Sequence, residues 1–245
     1  MQISRSPLWL AMAVILLVLG ACAKKEIKMT TPKADYMKAK SMIRDGYYSR
    51  ATMFLEKYAS NHPYSHYTAE AELLRAYAAY KDDELPLAET ICEEFIRRHP
   101  RHPDVAYAEY LLAMTHYHEI SPPERDQSET HKAIKGFQRV IDEHPGTNYA
   151  KDAASHLQHL YNNLAKHETT VGEFYYKHKQ YVAAVNRFQV VIRSYQTTPS
   201  IEPALYYLAA SYAALGLKAD ARQTAMLLRA NYPRGKWSEK AKALL

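Results

Sequence analysis

ATMFLEKYASNHP (51–63), AETICEEFIRRHP (88–100), AIKGFQRVIDEHP (133–145) and ARQTAMLLRANYP (221–233) each open on alanine and close on proline twelve residues later. A fifth unit centres on Ala184, where Gln196 stands at the closing position and the proline follows at Pro199. Counted from each alanine, apolar residues recur at +3, +4, +7 and +8. They are Phe54, Leu55, Tyr58 and Ala59 in the first unit, and Ile91, Cys92, Phe95 and Ile96 in the second. Phe137, Val140 and Ile141 follow in the third, Phe188, Val191 and Ile192 in the fourth, and Ala225 with Leu228 in the last. That spacing puts one apolar stripe on an amphipathic helix. The alanine is small because another helix must cross closely there. The proline ends the helix because it lacks an amide donor and keeps the residue before it out of the helical region.

A preceding helix is expected each time, over 34–44, 69–81, 104–118, 149–178 and 203–215. In DGYYSRA and LGLKADA, Gly46 and Gly216 mark the turn between paired helices, five residues ahead of the alanine. The units resemble tetratricopeptide helix–turn–helix repeats, whose consensus sets glycine, alanine and proline at these offsets. Successive alanines lie 37, 45, 51 and 37 residues apart, so the third and fourth units carry insertions. EISPPERDQSETH (119–131) is expected to be a polar loop, and 149–178, without proline, a lengthened helix. Strand signals are absent. The expectation is an all-α, right-handed α-solenoid of about five repeats with a concave face, each unit resting on its neighbours.

Ahead of the repeats, Leu8 to Leu19 is a twelve-residue apolar run preceded by Arg5. A spanning helix needs about 20 such residues, whereas the length, basic flank and small residues Gly20-Ala21 fit a cleaved secretory signal. Leu19-Gly20-Ala21-Cys22 also resembles the bacterial lipoprotein box. That resemblance implies cleavage before Cys22, a diacylglycerol on its thiol and a further acyl chain, palmitate for example, on its new amine. Several chains anchor far more firmly than one, and Ala23, not being aspartate, implies export to the outer membrane. The expected organisation is a signal peptide over 1–21, a lipidated tether over 22–32, N-terminal repeats over 33–147 and C-terminal repeats over 148–245. With Cys22 acylated, Cys92 has no partner, so no disulfide framework is expected. The formal charge of +6 is dispersed without runs, which favours acidic partners; for an exported lipoprotein nucleic acid is not among them.

Seven glycines, none grouped to cradle a phosphate, leave no nucleotide or nucleophile-elbow motif. Among twelve histidines, His116/His118 and His156/His159 are close in sequence, but neither pair has a third ligand nearby. His62, His99 and His144 each precede a helix-ending proline, where an imidazole can serve the last carbonyls. No catalytic residue, metal site or cofactor is expected, and Cys92, on an apolar stripe, reads as a buried thiol. The excess is in tyrosine, 21 against five phenylalanines. Registered from the alanines, the first helices offer Tyr36, Lys40 and Arg44, then Tyr77, Tyr80 and Lys81, then Tyr107, Tyr110 and Tyr117 as groove residues. Two arrangements compete: an aromatic groove with basic residues at one side, suited to an extended peptide with a terminal carboxylate, or tyrosines filling helix interfaces. A one-residue slip, about 100° of rotation, exchanges them.

LLRAYAAYKDDELPLAE, FIRRHPRHPDVAYAEYLLAM, RDQSETHKAIKGF, HPGTNYAKDA and LAKHETTVGEFYYKHKQYVAAVNRFQVVI, in that order, are similar to the BamD (ComL) family of outer membrane lipoproteins. The resemblance spans the lipoprotein box and nearly all of 33–234. It implies a non-enzymatic scaffold of the β-barrel assembly machinery (the Bam complex) in Gram-negative bacteria, lipid-anchored to the inner leaflet of the outer membrane and facing the periplasm. The N-terminal repeats would receive unfolded barrel precursors. The regions 175–193 and 203–232 would dock on a BamA-like barrel subunit and small accessory lipoproteins. The loop after His118 is shorter than in some members, and with Leu245 as the last residue no extended tail for further partners is expected. The alternative is a pilotin-like or cell-wall-associated repeat lipoprotein with a different client.

Overall fold

The computed structural model describes residues 30–245; the leader, Cys22 and most of the tether lie outside the described residues. Five helix pairs follow in order: α1 (Pro32–Arg44) with α2 (Tyr48–Glu56) and α3 (Tyr58–Asn61), α4 (Thr68–Lys81) with α5 (Leu85–Arg98), and α6 (Val105–His118) with α7 (Ser128–Glu143). Then come α8 (Asn148–Lys177) with α9 (Tyr181–Ser194) and α10 (Ile201–Ala214) with α11 (Lys218–Asn231). No strand occurs among the described residues, nor any helix long and apolar enough to cross a membrane.

The alanine register holds throughout. Ala51, Ala88, Ala133 and Ala184 are fully buried and Ala221 nearly so. The +4 and +7 positions, from Leu55 and Tyr58 through Phe137 and Val140 to Ala225 and Leu228, are buried in every repeat. The outer flanks are shallower: Phe54, Ile96, Ile141 and Ile192 are only half-buried, and Ala59 is exposed. Each fully buried phenylalanine or leucine in this stripe contributes about 1.5–3 kcal/mol. Every second helix lies between its own first helix and the next one, and the first helices also touch each other in succession. The first helices therefore form the inner layer of the solenoid, the surface on which a groove can exist.

The tight turns share one backbone device. The residue five ahead of the alanine is left-handed in four repeats: Gly46 (φ 81°), Asp83 (φ 64°), Lys179 (φ 60°) and Gly216 (φ 79°). Glycine meets this demand without strain, and aspartate tolerates it; lysine meets it at a cost of about 1 kcal/mol. The third repeat lacks the turn because its connection is the inserted loop. That loop is shorter than 119–131, since Ser128 already opens α7, and it is bound down. Asn163 of α8 donates to the Ser121 carbonyl (3.0 Å) and to Gln127 Oε1 (2.7 Å), while Gln127 Nε2 donates to the Pro122 carbonyl.

The second helix of the first repeat breaks at Lys57, and at the break Tyr58 turns inward to donate its hydroxyl to the Pro32 carbonyl at 2.8 Å. At the other end α12 (Lys236–Ala241), followed by a 3₁₀ turn over Lys242–Leu244, packs on α10 and α11. It covers a face that a further repeat would otherwise bury.

The insertion in the fourth unit is the 30-residue α8, about 45 Å long. Thr147 caps it by accepting from the Ala150 amide at 3.1 Å. Its first half, Ala150, Ala153, Leu157 and Leu160, packs into one core with Ala133 and Phe137. Further along, Ala165 joins a second core with Ala184, Phe188 and Leu208. At Gly172 a Cβ would stand 2.6 Å from the Phe188 ring, so only glycine lets α9 approach this closely. A division before residue 148 thus separates surfaces and not cores, because the head of α8 belongs to the N-terminal core.

Candidate functional site

The first helices α1, α4 and α6 each place a tyrosine into one cleft of about 250 Å³, lined by Tyr36, Tyr77 and Tyr107 with Leu73 and Leu74. These three came from the repeat register, and the fold brings them together. Tyr67 stacks on the Tyr36 ring, centroids 5.0 Å apart, and holds it as a wall. Tyr107 is tilted against Tyr149 at 5.4 Å. Two carboxylates share the cleft, Glu70 and Asp104. Burial, then Glu70 and Asp104 in turn, push the Tyr36 phenol above its ordinary pKa. Burial likewise raises the Tyr107 phenol, with the neighbouring tyrosines adding to it.

The other groove candidates go elsewhere. Lys40 lies over the Tyr36 ring at 5.6 Å but outside the cleft lining, and Arg44 reaches the adjacent Asp45 at 3.3 Å on the open surface. Tyr80 and Lys81 border a separate recess with Asp83 and His118. Tyr110 donates to Asp152 and packs on Tyr149, and Tyr117 lies 3.2 Å from His159. Both therefore sit in the α6–α8 interface, where half-buried rings fill the step between successive first helices. The charged groups lining the cleft itself are acidic, and Lys40 stands to one side of it. The signal was present in the sequence, because Glu70 stands seven residues before Tyr77 and Asp104 three before Tyr107. The helical period that aligns the tyrosines aligns these carboxylates with them.

The proline-flanking histidines also differ from expectation. Their backbone amides cap the helix ends, but their rings reach across the repeat to the first helix. His62 Nε2 lies 2.9 Å from Asp35, His99 Nε2 3.5 Å from Glu72, and His144 Nε2 3.0 Å from Glu109. Asp35, Glu72 and Glu109 recur at a spacing of 37 residues. Burial would raise the Asp35 carboxyl, but hydrogen bonds from Thr30 and His62 and the His62 charge outweigh it and hold the pKa below the usual range. Glu109, Glu143 and His144 bring ligand atoms within 4.8 Å of one another. Arg139, however, lies 3.5 Å from Glu109 and 3.2 Å from Glu143, which makes the group an ion-pair network. His116 and His118 diverge, the first to Glu129 at 2.9 Å and the second towards Asp83 at 3.6 Å. Cys92 is buried, and burial followed by Glu93 pushes its thiol up to about 12. A group so placed is neither nucleophile nor ligand.

In the C-terminal repeats a cavity of about 440 Å³ opens between α8, the loop before α10 and the head of α12, lined among others by Lys166, Glu173, Glu202, Lys236 and Trp237. Phe174, Val182, Met226 and Leu227 are about half exposed or more on this half of the molecule.

Residues 28–228 match the family model YfiO, described as outer membrane lipoprotein. The chain is similar to the outer membrane protein assembly factor BamD of Rickettsia prowazekii, 37% identical over 230 residues, 93% of this chain and 92% of that one. The corresponding protein of Caulobacter vibrioides is 33% identical over 132 residues, 54% of this chain and 43% of that one. Among solved structures, the TPR2AB domain of yeast Sti1 in its pHSP90 complex gives a TM-score of 0.45 at 15% identity, covering 86% of this chain and 81% of that one.

Proposed function

Because this chain belongs to the BamD family of outer membrane protein assembly factors, we propose that it works as a lipid-anchored periplasmic scaffold with one receiving end and one docking end. The observation that carries this is a single alignment at 37% identity that runs through nearly the whole of both chains. The pilotin-like and cell-wall alternatives are not favoured, since the relatives are outer membrane protein assembly factors. Cys22 supplies the anchor: acylated at its thiol and amine, it holds the repeats against the inner leaflet of the outer membrane.

The receiving end is the first three repeats. The cleft of Tyr36, Tyr77 and Tyr107 offers rigid rings with few rotors to lose, suited to the weak, reversible capture of an extended barrel precursor. The docking end is the last two repeats. Around 175–193 and 203–232, exposed Phe174, Val182 and Met226 provide apolar area and the Trp237 cavity a recess, towards a BamA-like barrel subunit and small accessory lipoproteins. The action required of the chain is positioning, with no bond made or broken.

The test is isolation of the C-terminally tagged protein from membranes in mild detergent, with mass spectrometry of what accompanies it. Stoichiometric recovery of a barrel protein with repeated periplasmic domains is expected; a secretin or cell-wall proteins in its place would overturn the assignment. Cys22→Ser is expected to leave the protein soluble or retained in the inner membrane, and sorting to the outer membrane regardless would remove the anchor. Tyr77→Ala is expected to weaken capture of a barrel-derived peptide with helix content unchanged.

A further inference from the structure

The charge inside the aromatic cleft runs against the charge of the molecule. A chain of formal charge +6 places two carboxylates, Glu70 and Asp104, among three tyrosines and two leucines. Among the described residues no lysine or arginine nitrogen lies within ion-pairing distance of either; Asp104 has only His102 Nδ1 at 3.8 Å. Glu70 Oε2 is buried and accepts no hydrogen bond. A buried carboxylate oxygen without a donor is costly unless a cation or donor arrives to meet it. The Tyr36 ring is stacked on Tyr67, with the Lys40 ammonium 5.6 Å from its centroid.

We infer that this cleft is a receptor for a cationic side chain, a lysine or arginine carried on an extended segment of the client polypeptide. The inference rests on the reading of the N-terminal repeats as the receiving end, and adds to it what the receiving site selects. Leu73 and Leu74 match the aliphatic stem of such a side chain. Tyr77 and Tyr107 supply ring electrons near the charged head, and Glu70 with Asp104 completes a charge-assisted pair. A terminal carboxylate suits the cleft poorly, because it would face two like charges.

The experiment uses the full-length chain in detergent and three N-acetylated, extended peptides with alternating aromatic residues. The first carries one central lysine and a free carboxyl end, the second norleucine in place of the lysine, and the third the lysine with an amidated end. The expected result is about tenfold weaker binding of the norleucine peptide, with the amidated peptide within about twofold of the first. Glu70→Gln, isosteric and surface-bordering, is expected to weaken the lysine peptides about tenfold and leave the norleucine peptide unchanged. Norleucine binding as tightly as lysine, or Glu70→Gln without effect, would overturn the cationic selection. Loss of binding on amidation would also overturn it, and would make the occupant a chain terminus. If the peptides bind through Tyr77 while ignoring the lysine, the receiving-end reading stands and this inference alone falls. If none of the three binds, both fall together.

Discussion

In the three N-terminal repeats, the residue before the terminating proline is a histidine whose ring reaches an acidic side chain on the first helix: His62 to Asp35, His99 to Glu72, His144 to Glu109. In the two C-terminal repeats the same position holds Tyr195 and Tyr232, which pack onto the cores beneath them. The register is common, but the N-terminal half closes its repeats with polar side-chain pairs and the C-terminal half with half-buried rings. A part-buried ion pair adds little net stability over an apolar contact of the same shape, yet it costs a great deal to break from one side. The N-terminal repeats are therefore closed by polar side-chain pairs, and the C-terminal repeats by packing.

The comparison breaks most visibly where packing dominates. Phe188→Ala empties a fully buried site against Gly172 and is expected to cost about 3–5 kcal/mol in urea unfolding. A cost under about 1 kcal/mol would mean the C-terminal core is not held by its rings. Next is Glu109→Ala, which leaves His144 and Arg139 facing an empty buried position. About 1–3 kcal/mol is expected, with faster amide exchange in α6 and α7 and little change in α10.

Acid should sharpen the contrast. Two part-buried carboxyls with lowered pKa lie in the N-terminal repeats: Asp35, and Glu129, where burial is outweighed by hydrogen bonds from Lys132 and His116. A carboxyl depressed in the folded state stabilises above its unfolded pKa, about 4, and that stabilisation is lost as pH falls through the folded value. Hydrogen exchange stepped from pH 6 to pH 3 is expected to show α1, α3 and α7 opening before α9 and α11. The reverse order would end the distinction. The smallest effect concerns the turns: Lys179→Gly relieves a left-handed lysine and is expected to add about 0.5–1 kcal/mol to thermal stability.

Much of the fold was legible before any coordinates. Alanine-to-proline spacing marked four of the second helices and the apolar stripe from Ala184 the other, and the five first helices begin and end within two residues of expectation. What escaped was chemistry that periodicity does not carry. Asp83 and Lys179 occupy glycine's conformation without being glycine, so two of four turns bore no sequence mark. The break at Lys57 and the closing helix α12 lie outside the repeat. The cleft was half legible: the period put Tyr36, Tyr77 and Tyr107 on one face, where they line one cleft, but counting aromatic and basic residues passed over Glu70 and Asp104 beside them. Tyr110 and Tyr117 share that helix with Tyr107, and only the position of α8 decides that they serve an interface. The histidine pairs were invisible for a similar reason, since each partner lies 27 or 35 residues away on another helix.

The long helix α8 has a metrical consequence. Two tetratricopeptide-like stacks joined by a loop would rotate against one another, and the distance between their surfaces would fluctuate. Here one rod is cemented into both cores, so the span from the tyrosine cleft to the Trp237 cavity is set by a number of helical turns. The protein is in this sense a gauge: whatever is held at one end is presented at a constant offset and heading to whatever is seated at the other. Inserting or deleting residues in α8 would change that offset by 1.5 Å and about 100° per residue, altering alignment while both ends kept their own chemistry.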